Sequence, residues 1–281
     1  MENSNKGMGI LAMAATAFLW SIAGLFIKAI DWNPIAIAGM RSLVASIVIF
    51  AYLRRPVFHF SFAQTAAAIT HAVTMLLFVA ANKTTTAANA ILLQYMAPVL
   101  TAFIGSALLK ERPHAEHFIA LPLVVAGMVV MFFDELGGGK LFGNLLAILS
   151  AVTFSFYFVF MRMQKDGSPL ESILLSHWLT AIICILISLF LPFPQVNLKS
   201  LSAIAVLGIV QLGLPSLLFC YAIKRVSAVS ANLIAVIEPV FNPVWVFIVI
   251  GEAPGVQALI GGLIIVLSVT IASVISARRR G

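Results

Sequence analysis

Charge is what this chain of 281 residues lacks most: Asp, Glu, Lys and Arg make up 10% of it, against 62% apolar residues and a mean hydropathy of +1.08. No water-soluble domain has that composition. Cysteine is nearly absent too. Cys184 and Cys220 both fall inside apolar runs, where free cysteine acts as a small apolar side chain, so no disulfide or metal framework is implied. Enzyme signatures are missing: there is no Gly-x-Ser-x-Gly elbow, no phosphate-cradling Gly-x4-Gly-Lys-Ser/Thr and no dinucleotide Gly-x-Gly-x-x-Gly. His114-Ala115-Glu116-His117 lacks the His-Glu-x-x-His metal spacing, and its place in a polar junction predicts a solvated surface. Long polar connections are also scarce, which leaves no room for a soluble catalytic domain.

What is present is a series of apolar runs cut by charged or loop-forming clusters. They cover 8–28, 34–53, 62–82, 86–109, 117–133, 141–161, 170–191, 201–222, 228–250 and 255–277. Each is near the roughly 20 residues a helix needs to cross about 30 Å of hydrocarbon. A β-barrel would show shorter segments of alternating polarity, whereas these runs are apolar on every face. The expected fold is an all-α membrane protein of ten transmembrane helices. The first run is as long as the rest and has no small-residue cleavage site behind it, so it is read as a retained span.

Basic residues set the expected orientation. With a cytoplasmic N-terminus, the inner loops and ends hold Lys6, Arg54, Arg55, Lys110, Arg112, Arg162, Lys165, Lys224, Arg225, Arg278, Arg279 and Arg280, and the outer ones only Lys28, Lys83, Lys140 and Lys199. That bias places both termini in the cytoplasm. The net charge of +7 then answers the anionic inner leaflet, and no nucleic-acid partner is called for.

The chain also repeats itself. Leu76 to Pro113 recurs as Leu217 to Pro254 without gaps, with Leu76, Leu77, Phe78, Ala81, Lys83, Ala87, Ala90, Leu92, Pro98, Val99, Glu111 and Pro113 each matched by the same residue type. Gly9, Ser21, Phe26 and Lys28 likewise match Gly143, Ser155, Phe160 and Arg162, while Pro34 and Pro169 open the second and seventh spans. The predicted units are 1–136 and 137–281, joined through Gly137, Gly138 and Gly139. Five spans per unit is an odd number, so the second copy must thread the membrane inverted. Inverted repeats mark secondary transporters, because two similar halves can exchange roles around a central site.

Ala97-Pro98-Val99 before Lys110-Glu111-Arg112-Pro113, and Glu238-Pro239-Val240 before Gly251-Glu252, resemble the EamA-type drug/metabolite transporters over the whole chain. That resemblance implies a multi-pass carrier or exporter of small metabolites in a bacterial plasma (inner) membrane.

Polar groups at mid-depth are expensive unless they face a cavity or a partner. Glu238 is the one acidic residue well inside a span, roughly 15 Å deep, where a carboxylate can serve as proton carrier or cation ligand. A purely structural role as a hydrogen-bond acceptor beside Pro239 is the alternative. Arg41 is the only base deep in a span; its guanidinium can hold a carboxylate or pair with Glu238, or its stem can snorkel to the headgroups, and a structural or gating role is expected. Pro98 and Pro239 should kink the fourth and ninth spans, a pattern that points to a transport site or simply improves packing. The lining expected around them is Trp20, Gln94, Tyr95, Tyr157, Asn242 and Trp245, with Ser21, Asn89, Phe154 and Asn232 nearby. Aromatic faces with one carboxylate would suit an amine or organic cation, although most aromatics in such a chain face lipid or pack. His71 and His177 lie within spans and can relay a proton or simply bridge helices.

The expected activity is secondary-active export or exchange of small metabolites such as amino acids, amines or related amphiphilic compounds, without catalysis, cofactor or metal. Coupling would be to a proton or sodium gradient, in a monomer or homodimer. The alternative is a membrane protein that handles lipid or acts as a sensor without flux.

Overall fold

The computed structural model describes residues 2–28, 30–85, 90, 93–111, 115–131, 133, 141–192, 194–250 and 255–278. Ala87, Asn89, Leu92, Arg112, Pro113, His114, Gly137, Gly138, Gly139, Lys140, Gly251, Glu252, Pro254, Arg279 and Arg280 lie outside them, as do the side chains of Lys28, Lys83 and Asn242. Among the described residues the chain is helical, with no strand. In order come α1 (Glu2–Trp20), α2 (Ala23–Lys28), α3 (Pro34–Leu53), α4 (Phe62–Thr84), α5 (Ala97–Leu108), α6 (Ala115–Met131), α7 (Leu141–Met163) and α8 (Pro169–Ser188). Then follow α9 (Leu198–Val206), a π-helical segment (Leu207–Gly213), α10 (Leu214–Ile223), α11 (Ala228–Ala235), α12 (Ile237–Ile250) and α13 (Val256–Arg278).

The polar clusters between apolar runs are the helix starts. Side chains of Asn33, Ser61, Asn197 and Ser227 accept from the backbone N–H of Ala36, Gln64, Ser200 and Ser230, satisfying donors that a helix N-terminus leaves open. Pro34 and Pro169 stand in the first turns of α3 and α8, where the missing N–H costs nothing. Among the described residues, six helical stretches are long and apolar enough to cross a membrane: Asn5–Ile27, Pro34–Leu53, Phe62–Ala81, Leu141–Met163, Pro169–Ser188 and Leu198–Ile223. Shorter apolar helices lie at Ala97–Leu108, Ala115–Val130, Ala228–Phe241 and Leu259–Ala272. Large apolar side chains such as Phe103, Phe118, Ile119, Ile182, Leu263 and Ile271 point outward, which suits lipid and not water.

Helix packing comes in matched pairs. Helix α4 packs on α7 as α1 packs on α10, and α4 on α8 as α3 on the π-helical segment. In the same way α5 packs on α7, and α1 on α11 and α12; α3 meets α8, α5 meets α11 and α6 meets α13. Small residues permit the close approaches. A Cβ on Gly39 would lie 2.9 Å from Cys184 Cβ on α8, and one on Gly127 would lie 2.9 Å from Ile265 on α13.

The first and eighth spans both depart from simple continuous helix. The first is interrupted by a turn at Ser21 and Ile22, where the Ser21 hydroxyl donates to Phe18 O at 2.6 Å. The eighth widens into the π-helical segment, with Gly208 pressed against Val44 and the Arg41 carbonyl, and Gly213 against Val48. The polar junction before α6 also differs from expectation: Glu116 and His117 are buried, and His117 Nε2 lies 3.1 Å from Ser230 Oγ on α11. The contact with α11 takes them out of solvent, which sequence polarity could not register.

Candidate transport site

The fourth and ninth spans break at corresponding places. Tyr95 and Met96 form a turn before α5, which carries Pro98 in its first turn; Val236 forms the turn before α12, which carries Pro239 in its first turn. Each proline removes a backbone donor and leaves carbonyls of the preceding turn to find other partners. On the α5 side of the first break, the Ser155 hydroxyl of α7 reaches Ala97 O at 3.0 Å as well as Ala151 O at 2.7 Å.

Across the two breaks, the buried Tyr95 hydroxyl donates to Glu238 Oε2 at 2.5 Å. Its shortness fits a hydrogen bond to a carboxylate. Nearby, Asn232 Nδ2 donates to Thr101 Oγ1 at 2.7 Å, so both interrupted helices are tied twice, while Asn232 Oδ1 has no partner among the described residues. Gln94 Nε2 donates to Ser150 Oγ on α7 at 2.7 Å, which makes Gln94 a tie between helices. Asn242 adds nothing that can be described.

Aromatic residues separate into two groups. Trp20 stands 6.4 Å from Phe154 and 5.9 Å from Phe219, and Tyr157 stacks on Phe219 at 5.5 Å, bringing α1, α7 and α10 together. Trp245 belongs elsewhere: its Nε1 donates to Ser21 Oγ at 2.7 Å, and its ring meets Phe18 at 5.2 Å. It therefore braces the break in the first span.

His71 on α4 stacks on Tyr157 at 4.3 Å and its Nδ1 lies 2.7 Å from Ser176 Oγ on α8. The His177 ring lies 5.6 Å from it, edge to face. Arg41 is 5% exposed, so it does not snorkel, and its Nη2 reaches only Met75 Sδ, at 3.5 Å. Among the described residues it makes no direct ion pair with Glu238.

At one end of the bundle, Arg162 Nε meets Glu111 Oε1 at 2.8 Å and Arg162 Nη1 donates to Ile223 O at 2.9 Å. Lys224 Nζ donates to Gly167 O at 2.6 Å. These contacts tie the ends of α7 and α10 and the chain after α5. In the sequence, Glu111 and Arg162 stand out as repeat marks, Glu111 also in the family motif and Arg162 in the inner basic set, and nothing there pairs them. It also missed Ser150, Thr153 and Ser176; Ser150, Thr153, Phe154 and Tyr157 recur at helical spacing on α7, and that stripe was the available signal.

Comparison with known proteins places this arrangement. The sequence profile of the EamA-like transporter family matches residues 7–133 and again 141–274, so the chain belongs to that family. An uncharacterized transporter of Archaeoglobus fulgidus is 29% identical over 267 residues, spanning 94% of this chain and 96% of the relative. The uncharacterized transporter YdfC of Bacillus subtilis is 28% identical over 195 residues, 66% of this chain and 62% of the relative. A solved crystal structure overlays with a TM-score of 0.82 at 21% identity, covering 97% of this chain and 99% of that one, and so shares the fold. The protein is a multi-pass membrane transporter.

Proposed function

We propose that this transporter is a secondary-active exporter or exchanger of small amphiphilic metabolites, among them amino acids and amines, working by alternating access. The observation that carries the proposal is the Tyr95–Glu238 hydrogen bond, which joins the broken fourth and ninth spans at mid-depth. A carboxylate held there by a single hydroxyl can exchange that partner for a proton, a cation or the cargo itself. Units 1–136 and 137–281 are the two inverted repeats; the paired helix contacts and the twofold family match support that division. Trp20, Tyr95, Tyr157 and Glu238 line the cargo site, and Pro98 and Pro239 let the interrupted helices move. His71 takes part in proton coupling or gating. The charge bias puts both termini in the cytoplasm of a bacterial inner membrane, so the Glu111–Arg162 ion pair closes the cytoplasmic end.

Reconstitution in proteoliposomes with a pH-sensitive dye, challenged with amino acids, amines and quaternary ammonium compounds, tests this reading. Substrate-dependent flux is expected, and Glu238→Gln should abolish or uncouple it while the protein remains folded. Absence of flux across the panel would refute the carrier reading, and unaltered coupled flux in Glu238→Gln would remove the role assigned to that residue.

A further inference from the structure

Glu238 has a hydrogen-bonding partner suited to its charge, but Arg41 does not. A guanidinium offers five N–H donors. In Arg41 the one hydrogen bond among the described residues goes to the Met75 thioether, a weak acceptor, and Nε has no partner. Taking a cation out of water is costly unless a counter-charge or strong acceptors replace the lost hydration. No carboxylate approaches within ion-pair distance among the described residues, since the ion pair found there is Glu111–Arg162 at the end of the bundle.

A second orphan lies in the same neighbourhood. His177 is 1% exposed, and neither ring nitrogen has a hydrogen-bond partner among the described residues. It sits on α8, which packs against both α3, the helix of Arg41, and α4, the helix of Met75 and His71. The His177 ring lies 5.6 Å from that of His71, which stands one turn before Met75, the residue that Arg41 contacts. His71 next to it is already engaged through Nδ1 with Ser176. The mid-depth of α3, α4 and α8 thus holds a fixed positive charge and an imidazole N–H, with no anion bonded to either among the described residues.

We propose that Arg41 and His177 form an anion subsite that takes a carboxylate of the cargo, the guanidinium binding it bidentately and one imidazole N–H adding a further donor. The proposal rests on the carrier reading and deepens it: within that range of small metabolites, cargo bearing an anionic oxygen group is preferred over simple amines and quaternary ammonium ions. A cargo that also carries an ammonium group would place that end toward Glu238, whose charge is opposite.

The test uses the full chain in lipid nanodiscs and two matched sets of probes: leucine, isopentylamine and 4-methylpentanoate, then valine, isobutylamine and 3-methylbutanoate. Each set compares an amino acid with the amine lacking its carboxyl and the acid lacking its amino group. Binding is read as quenching of tryptophan fluorescence and as a rise in the melting midpoint. At least one carboxylate-bearing probe should bind tenfold or more tightly than its matched amine. Arg41→Gln should abolish that preference, Arg41→Lys should retain part of it because the charge survives without the bidentate fork, and His177→Leu should weaken acid binding several-fold. Equal binding of amine and amino acid, a carboxylate preference that survives Arg41→Gln, or binding by none of the probes would overturn the proposal. Melting of each variant without ligand shows which are folded, and Arg41→Lys keeps the question open to measurement if Arg41→Gln is not. Carboxylate binding without flux in proteoliposomes would sink the carrier reading alone. Flux of amines that ignores Arg41 would sink the anion subsite alone.

Discussion

Glu238 is held by one phenolic hydroxyl, so the smallest change that probes the site is Tyr95→Phe. A hydrogen bond to a charged group contributes about 1.5–3 kcal/mol. Its loss should lower flux roughly ten- to hundredfold if the bond acts in transport, and initial rates of probe efflux measure this. A rate unchanged within twofold would make the bond incidental. At this scale scarcity was informative: with so few charges, Glu238 and Arg41 stood out as mid-span residues from the sequence alone. Their partners did not. Tyr95 was a candidate for the lining, but its contact with Glu238 joins helices 143 positions apart in the chain. The Trp245–Ser21 bond spans 224 positions, and without it Trp245 read as lining instead of a brace.

Helical elements show the same division. Prolines announce the breaks in the fourth and ninth spans, because a missing N–H is a property of the residue itself. The turn at Ser21 carries no such local mark and forms where Trp245 bonds to the chain, whereas the π-helical segment ends two residues before Pro215 and is also pressed by α3. Gly208 records that pressure, since an added Cβ would collide with the Val44 side chain and approach the Arg41 carbonyl to 3.1 Å. Gly208→Ala should therefore destabilise the protein by about 1–3 kcal/mol, the usual cost of overpacking. Thermal unfolding in detergent should show the loss, and Val44→Ala in the same chain should recover part of it. An unchanged midpoint for Gly208→Ala would mean that α3 and the π-helical segment are free to separate. At the end of the bundle, Glu111→Gln removes the charge that Arg162 engages. It should shift the balance of open and closed forms on the order of tenfold, seen as faster labelling of a cysteine introduced at Gly167. The charge exchange Glu111→Arg with Arg162→Glu should restore slow labelling; labelling that ignores both changes would leave the ion pair without a gating role.

For the whole molecule, internal repetition carried more information than any single motif. Twelve identities without a gap and five apolar runs on either side of a glycine-rich join sufficed to suggest two related halves. The matched packing of α4 on α7 and α1 on α10, of α5 on α7 and α1 on α11 and α12, is the three-dimensional counterpart of that pattern. What the repeat could not disclose was where the copies depart from one another. Ala97 stands where Glu238 does, and its carbonyl is met by Ser155 instead. Arg41, too, pairs with no charged group among the described residues. Under the proposed function, the symmetric parts of the molecule are assigned to the alternation and these asymmetric ones to the cargo. The most direct test of alternating access is exchange in proteoliposomes preloaded with a radiolabelled probe from the binding panel. Unlabelled probe added outside should accelerate efflux of the label several-fold with no ion gradient present, because the loaded carrier reorients faster than the empty one. Efflux indifferent to external probe, as through an open pore, would contradict the account.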